Sequence, residues 1–363
     1  MPAKIAYVER GTPVRTTTET VVVMPTPKDD ETDCPETTVT AIRTRTATRP
    51  LEASPVLIGG EQGGPSVSHG PPQGLPRPPS LPMKPSSESK GKSPSGGSER
   101  FGISYAPYRA DHGCKSAEDI EDDFRQFAKE YSVVRIYGTD CDQVPNVYKA
   151  AKAAGVKLML GIWDIHDVEN EASKIVAALD GDWDIVHSIT VGNELVNAGQ
   201  ARPQEVVHAV RQARETLRSS GYEGPVVTVD TFIATEKHPE LCEASDFCAI
   251  NAHAFFDSTM RAEDAGKWLT NTVEQVQSRL SKPMHIVVTE TGWPMDGASN
   301  GLAIPGLENQ KLALESIREA FADRPRDVIL FSAFNDLWKQ RSMDTFNADQ
   351  YWGIGGAISR CDL

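Results

Sequence analysis

Eight short runs of apolar and β-branched residues recur after residue 100, and segments with helical spacing lie between them. The runs are Phe101–Tyr108, Val133–Gly138, Lys157–Trp163, Asp184–Glu194, Val226–Thr231, Asp246–His253, His285–Trp293 and Val328–Asp336. A strand followed by a helix, repeated eight times, is typical of a closed parallel barrel with its helices outside. The sequence therefore predicts an α/β fold, the (β/α)8 TIM barrel.

Helical spacing is clearest in five of the intervening segments, Ala117–Tyr131, Val144–Ala154, Gln204–Ser219, Ala262–Leu280 and Asn309–Ala322. The main competing fold is a doubly wound open sheet, which would be expected to carry a glycine-rich phosphate loop after an early strand. The sequence contains no Gly-x-Gly-x-x-Gly motif and no Walker-type motif. The barrel is therefore the favoured interpretation.

The first 100 residues differ from the rest of the chain, because they are rich in Thr, Pro, Ser and Gly and contain no Trp or Phe. Such a composition cannot bury enough apolar area to offset the entropy lost on ordering. We expect residues 1–100 to form a disordered, low-complexity stalk or linker. Residues 101–363 then form one catalytic domain, close to the usual barrel length of about 250 residues.

The net charge of −14 falls almost wholly after residue 100, since the first 100 residues carry 12 Lys and Arg against 11 Asp and Glu. A strongly acidic domain argues against nucleic acid or an anionic membrane as a partner. It suits a neutral or cationic substrate, although solubility alone also explains the charge. No run of 18 apolar residues and no secretory signal is visible, so no membrane span is expected.

The six cysteines include no Cys-x-x-Cys pair, and no His-x-x-x-His motif accompanies them, so we expect no metal site. Cys114 and Cys141 follow the first and second runs, which would place both in loops at one end of the barrel. We expect a bridge between them and a second bridge between Cys242 and Cys248. Buried free thiols are the alternative.

In a barrel of this kind, functional side chains lie at the carboxyl ends of the strands. Those ends combine acids, amides and aromatic rings: Tyr105, Tyr108, Arg135, Tyr137, Trp163, Asp164, Asn193, Glu194, Asp230, Asn251, His253, Glu290, Trp293, Asn335, Asp336 and Trp338. Aromatic rings offer flat platforms for sugar rings, and amides and acids can bind hydroxyl groups. The pattern indicates a carbohydrate site.

Glu194 and Glu290 close the fourth and seventh runs, which places them across the barrel mouth. Cleavage of a glycosidic bond with retention needs one carboxyl group as acid/base and one carboxylate as nucleophile, about 5–5.5 Å apart. Arg135 and Tyr137 share strand parity, so both can point inward. We hypothesise that one of them keeps Glu290 ionised, since a nearby cation or donor favours the charged form.

Seven motifs then occur in order along the chain. They are Gly-Ile-Ser-Tyr-Ala-Pro-Tyr (102–108), Val-Arg-Ile-Tyr-Gly-Thr-Asp-Cys (134–141), Val-Gly-Asn-Glu (191–194), Ile-Asn-Ala-His-Ala-Phe-Phe (250–256), Thr-Glu-Thr-Gly-Trp-Pro (289–294), Phe-Asn-Asp-Leu-Trp-Lys (334–339) and Tyr-Trp-Gly-Ile (351–354). From Phe101 to Gly353 the chain resembles glycoside hydrolase family 17, in its fungal cell-wall β-1,3-glucanase and glucanosyltransferase branch.

This resemblance implies a linear β-1,3-glucan substrate, endo cleavage with retention, no cofactor and a secreted or cell-wall location. It also implies that Glu194 is the general acid/base and Glu290 the nucleophile. The residues expected to bind substrate are Tyr105, Arg135, Tyr137, Asn193, Asn251, His253, Trp293, Asn335, Trp338 and Lys339. We expect the protein to act as a monomer.

Alternatives stay open at several of these positions. His253 could be a core histidine, Trp293 and Trp338 could serve packing alone, and Lys339 could lie at an exposed helix start. A second sugar chain could replace water as acceptor, which would make the protein a transglycosylase. It could also be an inactive glucan-binding protein, or a wall protein whose stalk is the working part.

Overall fold

The computed structural model describes residues 100–359 and Asp362. The predicted disordered segment, apart from Arg100, lies outside the described residues, as do Cys34 and Cys361. Eight parallel strands pair in chain order and close into a barrel, which confirms the predicted TIM barrel. They are β1 (Gly102–Ser104), β2 (Val133–Arg135), β3 (Lys157–Ile162), β4 (Val186–Asn193), β5 (Val226–Thr231), β6 (Cys248–Asn251), β7 (Ile286–Thr291) and β8 (Val328–Leu330).

Eight α-helices surround this barrel in the described part of the chain. They are α1 (Ala117–Phe127), α2 (Gln143–Ala154), α3 (Val168–Leu179), α4 (Pro203–Ser219), α5 (Phe232–Lys237), α6 (Glu240–Glu243), α7 (Ala265–Arg279) and α8 (Leu307–Ala320). A capping box at Ser116 starts α1, and Gly155 ends α2 in the left-handed conformation. Within the described residues, no helix combines the length and apolar character that crossing a membrane requires.

Most strands end earlier than their apolar runs. The eighth run was predicted to extend to Asp336, whereas β8 stops at Leu330, and β1 stops at Ser104 instead of Tyr108. Some residues just beyond the strand ends still bond to the neighbouring strand, as the Tyr105 N–H does to the Arg135 carbonyl oxygen at 2.9 Å, and the chain then continues as loops over the barrel mouth. Several predicted site residues therefore lie in the loops that follow the strands.

Two apolar layers hold the fold together. Val133, Met159, Val227, Phe247 and Ile329 belong to a buried cluster contributed by the strands and the segments just before them. A larger cluster packs the outer faces of the strands against the helices. These layers give rigid support to the strand ends that carry the polar residues.

Both predicted disulfides are confirmed. Cys114–Cys141 joins the loop after β1 to the loop after β2, with the two Cα atoms 5.4 Å apart. Cys242–Cys248 ties α6 to the start of β6, with Cα atoms 4.4 Å apart. The first bridge lies on the side of the barrel where the functional side chains gather.

Candidate active site

A cleft of about 780 Å³ opens over the carboxyl ends of the strands. Eight of the predicted site residues line it: Tyr137, Asn193, Glu194, Asn251, His253, Glu290, Trp338 and Lys339. Such a cavity is within the size range of small-molecule and oligosaccharide sites. The two glutamates therefore face one shared space, as the barrel topology predicts.

Glu290, near the end of β7, is held by two donors at one oxygen. Its Oε1 accepts hydrogen bonds from Arg135 Nη1 at 2.8 Å and from the Tyr137 hydroxyl at 2.9 Å. Its Oε2 lies 3.5 Å from His253 Nε2. Oε1 thus accepts both of these hydrogen bonds, whereas Oε2 faces His253.

The same neighbours keep Glu290 ionised. Burial opposes ionisation, but it is outweighed by the charge of Arg135, the hydrogen bond and charge of His253, and the charge of Lys339, which together lower the pKa of Glu290 to about 2. Arg135 itself is fully buried and lies beneath the cleft. A cation at 2.8 Å in a buried site is the arrangement that holds a carboxylate charged.

Glu194 directly follows β4 and has an unusual backbone, with φ of 56°. This left-handed conformation is costly for a residue with a side chain, and such residues cluster at functional sites. Its N–H donates to the Val229 carbonyl oxygen at 3.0 Å. The following loop is fixed by buried Asp230, which accepts hydrogen bonds from the N–H groups of Val196 and Asn197.

Glu194 has the opposite electrostatic environment. Burial raises its pKa, the negative charge of Glu290 raises it further, and a hydrogen bond from Asn251 only partly offsets them. Asn251 Nδ2 donates to Glu194 Oε1 at 2.7 Å. One glutamate is therefore held as an anion, and the other is biased toward its protonated form.

Asn193, Asn251 and Arg135 join the two carboxylates into one network. Asn193 Oδ1 accepts hydrogen bonds from Arg135 Nη2 at 2.8 Å and from Asn251 Nδ2 at 3.2 Å. Thr289 donates from its hydroxyl to Asn251 Oδ1 at 2.8 Å. These contacts fix both amides, so the groups facing the cleft are preorganised.

A second group of side chains forms the wall beside the loop after β8. Lys339 Nζ lies 2.8 Å from Asp336 Oδ2. Burial lowers the pKa of Lys339, but the nearby Asp336 carboxylate outweighs that effect and raises it overall. Trp338 packs against Tyr108 with ring centroids 4.9 Å apart, and the Tyr108 hydroxyl donates to Asp140.

Four predicted substrate-binding residues do not line this cleft: Tyr105, Arg135, Trp293 and Asn335. Tyr105 is fully buried among aromatic rings and donates its hydroxyl to Asp123 at 2.7 Å. Trp293 is fully buried and donates to the Ile304 carbonyl oxygen. Asn335 accepts the N–H of Gly353 at 2.8 Å. In the folded chain Arg135 contacts Glu290 beneath the cleft, whereas the other three side chains are engaged in packing and loop fixation.

Other lining residues were not among the predicted binding residues. They are chiefly aromatic or acidic: Tyr108, Asp140, Trp163, Phe256, Phe331, Asp349 and Trp352. Tyr108 and Trp163 stood at predicted strand ends, and that position was the available signal. Phe331 lies within the eighth apolar run, and Asp140, Phe256 and Trp352 lie within the quoted motifs, whereas Asp349 comes from a loop without such a signal.

Comparison with known families matches residues 102–353 to the BtgE/BtgC glycoside hydrolase domain. The matched segment includes all eight strands and every side chain of the Glu194–Glu290 network. The match thus extends from β1 to beyond β8 and includes the whole barrel.

Several curated proteins are similar over the same part. The "Probable family 17 glucosidase SCW4" of Saccharomyces cerevisiae is 43% identical over 70% of this chain and 64% of its own length. The "Cell surface mannoprotein MP65" of Candida albicans is 42% identical over 70% of this chain and 66% of its own length. The "Probable beta-glucosidase btgE" of Aspergillus terreus is 34% identical over 71% of this chain and 46% of its own length. The chain thus spans about two thirds or less of the relatives it matches.

Solved structures share the fold at lower identity. A Rhizomucor miehei β-1,3-glucanosyltransferase, solved as an active-site mutant with laminaritriose, has a TM-score of 0.60 at 22% identity over 73% of this chain and 98% of its own. An endo-laminarinase from Formosa has a TM-score of 0.59 at 18% identity over 70% of this chain and 82% of its own. At these identities the likeness concerns the barrel architecture.

Proposed function

The chain belongs to the BtgE/BtgC glycoside hydrolase family, as the predicted family 17 resemblance anticipated, and from that premise we propose that it is a retaining glycosidase acting on β-1,3-glucan. Glu194 serves as general acid/base and Glu290 as nucleophile. Residues 101–363 carry this activity. The reaction is endo cleavage within the glucan chain, and it needs no cofactor.

One observation carries the proposal: two carboxyl groups face one cleft with pKa values shifted in opposite directions. The pKa of Glu290 is lowered to about 2, and that of Glu194 is raised. Retaining glycosidases need this division, since one group must attack as an anion while the other donates a proton.

In the proposed reaction each glutamate has its own part. Oε2 of Glu290 attacks the anomeric carbon, while Glu194 protonates the leaving glycosidic oxygen, and a covalent glycosyl-enzyme forms. Glu194, now an anion, then takes a proton from water as the water attacks the same carbon. Arg135 and Tyr137 hold Glu290 in position through Oε1.

The substrate class is supported by the cleft lining and by the relatives. Exposed and half-buried rings of Trp163, Phe256 and Trp338 alternate there with amide and acidic groups, a mixture suited to neutral sugar chains. The Rhizomucor miehei enzyme was solved with laminaritriose, and the Formosa enzyme is an endo-laminarinase. Linear β-1,3-glucan is the substrate that these features share.

Transglycosylation is the second candidate. The same glycosyl-enzyme can transfer its sugar to another glucan instead of water. The Rhizomucor miehei protein, whose solved structure has a similar fold, is a glucanosyltransferase. The surviving carboxylate pair argues against an inactive glucan-binding protein. We further propose a monomer that works outside the cell at the wall, in keeping with the "Cell surface mannoprotein" name of one relative.

Product analysis tests the proposal. The full chain is incubated with reduced laminari-oligosaccharides, and Glu194→Gln and Glu290→Gln are run beside it. We expect shorter products from hydrolysis and longer ones from transfer, and each substitution lowers the rate by roughly 10²-fold or more. Undiminished activity in either variant would refute the two-glutamate mechanism.

A matched control uses Glu169→Gln, which changes the same charge on α3 outside the cleft. Glu169 is exposed and accepts a hydrogen bond from Gln212. We expect full activity in this variant. A loss as large as that of Glu194→Gln would mean that overall charge, and not the proposed acid, limits the rate.

A further inference from the structure

Trp163, in the loop after β3, is an exposed tryptophan in the cleft. It has 52% of its surface accessible, whereas the other tryptophans of the described residues are buried or half-buried. Its Cβ lies over Gly138, where an added Cβ would sit 3.4 Å away. An exposed indole gains little from packing, so its place in a cleft needs another explanation.

Glu171 on α3 fixes the backbone that carries this ring. Its Oε2 accepts the N–H of Trp163 at 2.8 Å, and its Oε1 accepts the N–H of Asp164 at 3.1 Å. The loop then turns back through a hydrogen bond from the His166 N–H to Asp164 Oδ1. The carboxylate thus uses both oxygens on two consecutive backbone donors.

Burial makes this arrangement costly. Glu171 is 8% exposed, and among the described residues none forms an ion pair with it. A buried carboxylate without a cation is stable only when strong hydrogen bonds replace its lost hydration. Both of those bonds go to the Trp163 loop, and Glu171 borders the cleft beside the ring that this loop carries.

We propose that Glu171 is a positioning residue that holds Trp163 as a preformed platform for a sugar ring of the bound glucan. This inference rests on the proposed function. A rigid platform lowers the entropy lost when the chain binds. The pair should therefore act on substrate binding, with no part in the chemistry at Glu290.

A double-mutant cycle tests the coupling. Glu171→Gln, Trp163→Ala and the double variant are compared in the full chain, with Glu169→Gln as the control for charge on the same helix. We expect the KM for a long laminari-oligosaccharide to rise about three- to tenfold in each single variant, with kcat little changed. The double variant should be no worse than Trp163→Ala alone, because the platform is already lost.

A short aryl glycoside that does not reach Trp163 serves as the second substrate, and its kcat/KM should stay unchanged in all four variants. Additive losses in the double variant, or losses in kcat for both substrates, would overturn the inference and indicate a general structural role for Glu171. If the wild-type chain neither binds nor cleaves laminari-oligosaccharides, the proposed function itself fails. The two failures are thus distinguishable.

Discussion

Arg135 on β2 and Glu290 on β7 form an ion pair of 2.8 Å across the inside of the barrel. Neither strand neighbours the other, so the pair links two walls of the cleft. Arg135 Nη1 also donates to the Thr289 carbonyl oxygen at 2.9 Å, which fixes the guanidinium against the end of β7. This contact explains how a buried carboxylate stays charged, and several consequences can be measured.

Replacing Arg135 by Met should raise the pKa of Glu290 from about 2, because its principal stabilising charge is removed. The acidic limb of the pH–rate profile then moves to higher pH. Loss of one member of a buried ion pair should also lower the free energy of unfolding by about 3–5 kcal/mol. Activity as a function of pH and urea unfolding at pH 7 measure both effects.

Tyr137→Phe is the matched comparison, since it removes a hydrogen bond to the same Oε1 and leaves the cation. We expect a loss of stability of about 1–3 kcal/mol and a smaller shift of the acidic limb. Equal shifts in the two variants would show that charge is not what holds Glu290 ionised.

The activity of the wild-type protein should fall on the alkaline side when Glu194 loses its proton. Because the pKa of Glu194 is raised, this fall begins above the range of an ordinary glutamate, and because that of Glu290 is about 2, activity persists in acid. A glycoside with a dinitrophenolate leaving group needs no proton donor. Its glycosylation rate should therefore lack the alkaline fall, and a fall shared by both substrates would contradict Glu194 as the acid.

Stability should depend on the charge of Glu290. Its folded-state pKa of about 2 lies below the ordinary value of 4.5, so it stabilises the fold above pH 4.5, and this contribution is lost as pH falls toward 2. The gap in unfolding free energy between wild type and Glu290→Gln should be largest at neutral pH and shrink in acid. Urea unfolding from pH 7 to pH 2 measures it. A constant gap would contradict the shift.

The positions of Glu194 and Glu290 could be predicted because both end apolar runs, and a barrel brings all strand ends to one mouth. The direction of some other side chains was predicted wrongly or not at all. Tyr105 follows the last residue of β1, and its ring points toward α1 instead of the cleft. Tyr105 shares the parity of Ile103, which packs in the outer cluster, whereas Tyr137 shares that of Arg135 and points inward; the direction of Tyr105 therefore follows from the face of β1 that is buried against the helices.

Irregular pairing between strands is the second reason why side-chain directions in the site could not be predicted. Register shifts occur between β4 and β5 near Asn193, and between β6 and β7 near Asn251, which pairs with Glu290. Such bulges re-aim side chains beside active sites. These bulges, and the positive φ of Glu194, depend on how neighbouring strands pair. One sequence alone therefore does not predict them.

Asn251→Ala should raise the pKa of Glu194 further, since the hydrogen bond from Asn251 is the largest of the contributions that lower it. The alkaline limb of the pH–rate profile then moves to higher pH, and kcat falls because Glu194 loses its positioning partner. Thr289→Val is the control, because its hydroxyl contacts Asn251 and neither glutamate. An alkaline limb that stays in place in Asn251→Ala would contradict the role of this amide.

The two disulfides should differ in how much they contribute to stability and in whether they affect substrate binding. Cys114–Cys141 closes a separation of 27 residues and Cys242–Cys248 one of 6. Loop entropy then predicts that the free energy of unfolding falls by about 3–4 kcal/mol for the first pair and about 2 kcal/mol for the second when each pair is changed to Ser.

Only the first bridge adjoins Asp140, which holds the Tyr108 hydroxyl at the cleft. Its removal should therefore also raise the KM for glucan, whereas the second pair leaves KM unchanged. Thermal unfolding and steady-state kinetics on both double variants separate these effects, and equal KM values in the two would contradict the link to the cleft.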